Sequence, residues 1–167
     1  MISQLKPKRA WWIHKSLLLA SSNPSDHELA WLRARGFKEA VSLLEEHREP
    51  PRYDKTSATR AGWSICSMPI SEGAAPSLEQ LADFTNRVRV LRRSGRLLVF
   101  CQSGLGRSAC VAAAYWIAKG FPENVAVARV TRARVKSDWL TAERRARLHA
   151  WEEKWKGLSA STRSISF

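Results

Sequence analysis

The 167-residue chain predicts an α/β fold: a single domain with a mainly parallel central sheet flanked by helices. Three observations carry that expectation. Strand-like apolar runs alternate with stretches of helical period along the chain. The amphipathic stretch Leu78 to Leu91 lies between strand candidates ending at Ile70 and starting at Leu97, which is the placement of a crossover helix joining parallel strands. Finally, Arg96 to Gly120 reads as a buried strand running through a glycine-bearing turn into a helix.

Taken in order, residues 1–10 lack a period and are expected to form a loose arm, with the domain over 11–156 and a flexible Ser-rich tail over 157–167. Trp11 to Ile13 and Leu17 to Ala20 read as the entry to the sheet, followed by a turn at Asn23-Pro24. Ser25 and Glu28 have capping-box spacing ahead of a short helix that Gly36 ends, and Ala40 to Leu44 reads as a strand. Glu45 to Arg60 mixes charges with Pro50-Pro51, has no clear period, and reads as a surface segment. Trp63 to Ile70 is the next strand candidate. Ser77 and Gln80 form a second capping box, after which Leu78, Leu81, Phe84, Val88 and Leu91 mark one helix face. Beyond Gly120, a helix is expected over Glu123 to Val135 with Val125, Ala128 and Val130 or Ala133 inward, and a last one runs from a Thr141 cap to about Trp155.

Composition sets further bounds. The 44% hydrophobic fraction and eight Trp suit a globular protein. No apolar run reaches the ~18 residues of a membrane span, and Leu17 to Ala20 is too short for a signal-peptide core, so a cytoplasmic protein is expected. Three cysteines without CxxC spacing suggest reduced thiols, with neither a disulfide framework nor a zinc site. Cys66 and Cys110 read as packing residues, with a reversible disulfide to Cys101 as a further possibility. The formal charge of +13 suits either a polyanionic ligand or simply a solvated basic surface.

The chemistry concentrates in Cys101-Gln-Ser-Gly-Leu-Gly-Arg107-Ser108. Gly104 and Gly106 let successive backbone N–H groups converge on one point, and the helix that follows adds positive potential. Such a site favours thiolate over thiol, which makes Cys101 a candidate nucleophile. Arg107 ends the turn with a planar fork suited to two oxygens of a phosphate. An isolated cysteine would read as a core residue. A Walker A loop is excluded because it needs Gly at 101 and Lys at 107, and a nucleophile elbow because Ser103 has Cys101 and Leu105 at its outer positions.

This Cys-x5-Arg-Ser pattern resembles the signature of the cysteine-dependent protein tyrosine phosphatases, and Cys-x-x-Gly-x-Gly-Arg-Ser most resembles their dual-specificity branch. The resemblance covers roughly residues 11 to 155. It implies that Cys101 forms a phosphocysteine, that Gln102, Ser103, Gly104, Leu105, Gly106 and Arg107 hold the phosphate, and that Ser108 stabilises the departing thiolate. It implies no metal and no cofactor. Phe100 stands where the family usually has His, and so brings no hydrogen-bonding group. A rhodanese-like sulfur transferase, which also sets a cysteine in an anion-binding loop ending in Arg, stays open as a rival.

A general acid is needed because the alkoxide or phenoxide leaving group is poor. The family takes it from a segment like Pro-Ile-x-Asp-x-x-x-Pro, which corresponds here to Pro69-Ile70-Ser71-Glu72-Gly73-Ala74-Ala75-Pro76. Glu72 occupies the Asp position, with Asp83 and Asp138 as fallbacks and an exposed, non-catalytic carboxylate as the plain alternative. Trp63 and Trp139 are possible pocket lips. The expected activity is hydrolysis of phosphotyrosine and phosphoserine or phosphothreonine in proteins. The alternatives are the same chemistry on a phosphoinositide or RNA 5′-phosphate, or a phosphate-binding relative without turnover. The expected partner is a phosphorylated protein or other phosphomonoester, or else a polyanionic ligand; the oligomeric state is open.

Overall fold

The computed structural model describes residues 6–91, 95–134 and 138–163. Five strands, β1 (Trp11–His14), β2 (Leu18–Ser22), β3 (Phe37–Ser42), β4 (Ser64–Ser67) and β5 (Arg96–Cys101), form one sheet in the order β1-β2-β5-β3-β4. Only β1 pairs antiparallel, across the tight turn to β2; the other pairings are parallel. The helices are α1 (Asp26–Arg33), α2 (Lys55–Arg60), α3 (Leu78–Leu91), α4 (Arg107–Ala118), α5 (Glu123–Ala133) and α6 (Ala142–Arg163).

β5 lies at the centre of the sheet and is buried on both faces, which is why Leu97 to Phe100 is an unbroken apolar run. Its two-residue alternation sorts side chains between two cores. Leu97, Val99 and Cys101 join the core made with α3, α4, α5 and α6, whereas Leu98 and Phe100 join a second core with Leu29, Leu32, Tyr53 and Ala58 from the α1 and α2 side. Cys101 therefore faces α4, and Phe100 points away from it.

Both capping boxes form. Ser25 Oγ accepts from Glu28 N while the Glu28 carboxylate accepts from Ser25 N, and Ser77 and Gln80 exchange the equivalent pair. Leu81, Phe84, Val88 and Leu91 are the buried face of α3.

Several expectations need correction. Residues 7–10 are not a loose arm: Pro7 is buried, Lys8 N donates to Glu28 Oε1 at 2.9 Å, and Ser22 N and Oγ both donate to Lys8 O. β3 spans Phe37–Ser42 and β4 spans Ser64–Ser67, so Leu43, Leu44 and Pro69-Ile70 lie in loops past the C-terminal strand ends. The segment 45–60 contains α2 and a buried carboxylate, Glu49. On α5 the buried residues are Ala126 and Val130, while Val125 is 37% exposed. Val135 lies outside the described residues. α6 continues through Gly157 to Arg163, well beyond Trp155, as an extension of the turns that Leu148 and Trp151 anchor in the core. Among the described residues no helix is long and apolar enough to cross a membrane.

Candidate active site

β5 ends at Cys101, and the backbone turns through 102–106 before α4 opens at Arg107. Ser108, in the first turn of α4, donates from Oγ to Cys101 Sγ at 3.2 Å, and both groups are buried. The strand end and the helix start thus deliver thiol and hydroxyl to the same point.

The intervening loop is held from several sides. Gly104 has φ +73°, and a Cβ built on it would lie 2.5 Å from Ser21 C and Ser22 N, so the loop rests directly on the backbone of β2. Only glycine fits such an approach. Trp11 Nε1 donates to Gly104 O at 2.9 Å. Asn23, buried at the end of β2, donates from its backbone N to Gln102 O and from Nδ2 to Gln102 Oε1 and Pro50 O, while its Oδ1 accepts from Arg52 N. Ser103 Oγ accepts from Leu105 N at 3.3 Å, and Arg134 Nε donates to Leu105 O at 3.2 Å. Gly106 packs against the guanidinium of Arg144, which would stand 3.0 Å from an added Cβ.

Arg107 is 4% exposed and gripped by protein acceptors on one edge. Nη1 donates to Glu49 Oε2 at 2.7 Å, Ile70 O at 2.9 Å and Leu43 O at 3.3 Å; Nη2 donates to Glu49 Oε1 at 2.6 Å. A guanidinium carries five N–H donors. These bonds leave Nε–H and one Nη2–H, two donors on the same edge, for an external oxyanion. Burial works to lower the Arg107 pKa, but the Glu49 hydrogen bond and the charges of Cys101, Glu49 and Glu72 raise it above its ordinary value. In turn the hydrogen bond from Arg107 holds the Glu49 carboxyl below the usual range against the opposing effect of burial. Glu49 was missed by the sequence reading: the partner of a buried arginine obeys no spacing rule, and its neighbours Arg48 and Pro50-Pro51 look like surface.

Glu72 is exposed at a turn whose next residue, Gly73, has φ +82°. The segment around it is tethered on both sides. Ile70 O accepts from Arg107, Ser71 Oγ donates to Glu45 Oε1 at 2.8 Å, Ala74 O accepts from Arg144 Nε at 3.2 Å, and Ala75 N donates to Glu143 Oε1 at 3.1 Å. Arg144 is itself buried and also donates to Trp139 O at 2.7 Å. Of the fallback acids, Asp83 lies on α3 beside a cavity of about 650 Å³ shared with Cys66, Met68 and Arg87, and Asp138 is exposed ahead of α6. Trp63 and Trp139 are core residues, 5% and 3% exposed, rather than pocket lips.

The other cysteines stay apart from the chemistry. Cys66 pairs with Val41, and Val41 with Val99, so two strand spacings of about 4.8 Å each separate it from β5, too far for a disulfide, whose Cα atoms lie within about 7 Å. Cys110 is fully buried in α4, and desolvation pushes its thiol up to about 12.

A buried cysteine at the end of a central parallel strand, a turn closed by an anchored arginine, and a helix N-terminus behind them define a cysteine-dependent phosphatase of the tyrosine and dual-specificity class. The family model described as "PTP-NADK: DSP-PTPase phosphatase fused to NAD+ Kinase" matches residues 13–147, and the chain belongs to that family. It is similar to a tyrosine-protein phosphatase CDC14 homolog of Schizosaccharomyces pombe, 32% identical over 69 residues, which are 41% of this chain and 13% of that protein. The corresponding protein of Candida albicans is 30% identical over 78 residues, 46% of this chain and 14% of its own length, so the match spans a small part of either relative. Among solved structures, Tk-PTP in its active form superposes with a TM-score of 0.78 at 28% identity, covering 88% of this chain and 98% of that one. Human DUSP28, at 20% identity and a TM-score of 0.72, covers 91% of this chain and 99% of its own and shares the fold.

Proposed function

We propose that this enzyme is a dual-specificity protein phosphatase, hydrolysing phosphotyrosine and phosphoserine or phosphothreonine through a phosphocysteine. The observation that supports it most is the 3.2 Å Ser108–Cys101 contact beside an Arg107 whose Nε edge is left for an oxyanion. In the first displacement Cys101 Sγ attacks phosphorus, the S–P bond forms as the ester P–O bond breaks, and Glu72 gives its proton to the leaving oxygen. The amides of 102–107 and the free edge of Arg107 hold the equatorial oxygens as charge develops on them. In the second, Glu72 takes a proton from water as that water attacks phosphorus. The S–P bond breaks, inorganic phosphate leaves, and Ser108 Oγ–H receives the sulfur as a thiolate. Two observations support these roles: the charge of Glu72 acts on Arg107, and Ser108 donates to the Cys101 sulfur.

The tyrosine-phosphatase relatives in the two fungi favour a protein substrate. The charge of +13 favours a polyanion and keeps a phosphoinositide or RNA 5′-phosphate as the second reading. A thiol nucleophile works where cysteines stay reduced, which suits a cytoplasmic enzyme. The test is a panel of aryl phosphate, phosphotyrosine, phosphoserine and phosphothreonine peptides, inositol lipid and 5′-triphosphate RNA, run beside Cys101→Ser in the presence of chelator. Peptide turnover abolished by Cys101→Ser is expected. Turnover that survives Cys101→Ser would refute the mechanism, and turnover confined to lipid or RNA would move the substrate to the second reading.

A further inference from the structure

A second concave surface, of about 680 Å³, lies between β1 and α5, outside the catalytic loop. Its floor is Ile13, Trp116, Val125 and Ala128, and its rim carries Arg129 and Arg132. One end of each of these two elements reaches the catalytic loop. β1 begins at Trp11, which donates to Gly104 O, and α5 is followed at once by Arg134, which donates to Leu105 O. The groove and the catalytic loop are thus joined by the two elements between which the groove lies.

The two arginines differ from the buried pair nearby. Arg144 is spent on backbone carbonyls within the fold. Arg129 and Arg132 are exposed, and among the described residues neither forms an ion pair with a carboxylate. Arg129 is also pre-oriented, its guanidinium 4.8 Å from the Trp116 ring centre and 4.2 Å from that of Phe121. Such stacking limits the conformations lost when an anion binds. Three residues of helix put Arg132 about 4.5 Å further along the axis, and an extended peptide advances about 3.3 Å per residue, so carboxylates one or two positions apart match the pair.

We propose that this groove binds an acidic stretch of the phosphoprotein substrate next to its phosphorylated residue, with carboxylates on Arg129 and Arg132 and an aliphatic side chain over Val125 and Ala128. The substrate role rests on the protein-phosphatase reading given above. A peptide fits better than single-stranded nucleic acid because stacking of bases needs open aromatic faces. Trp116 is instead committed to Arg129, His14, Tyr115 and Phe121. What the groove offers is aliphatic surface with two cations, including Val125 at 37% exposure.

The test reads binding and turnover separately. Fluorescence anisotropy of an unphosphorylated, fluorescein-labelled Glu-rich peptide is measured on the full chain, on Arg132→Glu, and on Arg129→Ala with Arg132→Ala. Arg132→Glu leaves the Trp116 stack in place, and its aryl phosphate turnover reports that it is folded. Binding is expected to weaken about tenfold or more in both variants and to weaken with added salt, as for rim charges that steer a partner. The kcat/KM for a Glu-flanked phosphopeptide should fall in parallel towards that of a Gln-flanked one, with aryl phosphate turnover unchanged. Equal peptide affinity in wild type and Arg132→Glu would overturn the proposal, as would an oligonucleotide that binds through Arg132 where the peptide does not. Arg132-dependent peptide binding without any phosphopeptide turnover would uphold the groove and overturn the protein-phosphatase reading alone.

Discussion

Glu49 holds Arg107 with both carboxylate oxygens, at 2.6 and 2.7 Å, across 58 residues of sequence. The pair is buried, and Nη1 of Arg107 also serves the carbonyls of Leu43 and Ile70, so one guanidinium ties together the segments after β3 and after β4. Removing one member of a buried pair leaves an uncompensated charge and costs about 3–5 kcal/mol. Glu49→Ala is therefore expected to destabilise the fold by about that amount in urea titrations. It should also lower kcat/KM for aryl phosphate by about 10²-fold, because Arg107 loses its orientation. Glu49→Gln should fall between. Unchanged kcat/KM in Glu49→Ala would remove the carboxylate from any positioning role.

The same pair sets an acid limit. The folded pKa of Glu49 is lowered from 4.5, first by the Arg107 hydrogen bond. Its contribution to stability is fully present above about 4.5 and is lost as pH falls through the lower folded value. Urea midpoints followed from neutral pH downward should decline in that window for wild type and more gently for Glu49→Gln. Parallel declines would show that other carboxylates dominate.

An alkaline limit has a different origin. Burial, assisted by the charge of Glu46, pushes Tyr53 from 10.0 up to about 12, and burial pushes Cys110 from 9.0 up to about 12. Each contributes stability in full below its unfolded value and loses it as pH rises through about 12. Tyr53→Phe keeps the ring that meets Phe100 edge-on at 6.1 Å and removes one titrating group. Its stability should drop less steeply above pH 10 than that of wild type, as read by thermal midpoints against pH.

Gly104→Ala puts a methyl where Ser21 and Ser22 backbone atoms stand 2.5 Å away, at φ +73°. Backbone cannot yield there as a flexible side chain would, so the loop must lift off β2 and drag Cys101, Arg107 and Ser108 out of register. A loss of kcat/KM of about 10²-fold or more, with the far-UV dichroism retained, is the expected result. Wild-type activity would mean that loop and strand separate without consequence.

Glu72→Gln separates acid catalysis from binding. Turnover of a phosphoserine peptide, whose alkoxide leaves poorly, should fall by about 10²- to 10⁴-fold, and an activated aryl phosphate should lose much less. Equal losses on both substrates would assign Glu72 to binding instead.

The clustering of Cys101, Arg107 and Ser108 was legible because they lie within eight consecutive residues, where turn chemistry and helix start dictate the geometry locally. The crossover helix and both capping boxes were legible for the same reason: their signals repeat within one or two turns. Glu49, Asn23, Trp11 and Arg144 were not. Each reaches a loop partner across dozens of residues, from 58 for Glu49 with Arg107 to 93 for Trp11 with Gly104, so no periodicity records the contact. Val125 misled because an apolar residue at helical spacing reads as core, whereas here it floors a groove. The N-terminal segment misled because its anchors are backbone bonds at Lys8, to which composition is blind.

The Arg144 guanidinium meets two loops at once, donating to Ala74 O in the segment that carries Glu72 and packing on Gly106 in the segment between Cys101 and Arg107. The spacing between the Glu72 and Cys101 segments thus rests on one rigid planar group mounted on α6. Loss of that single side chain would leave the two segments without their shared brace.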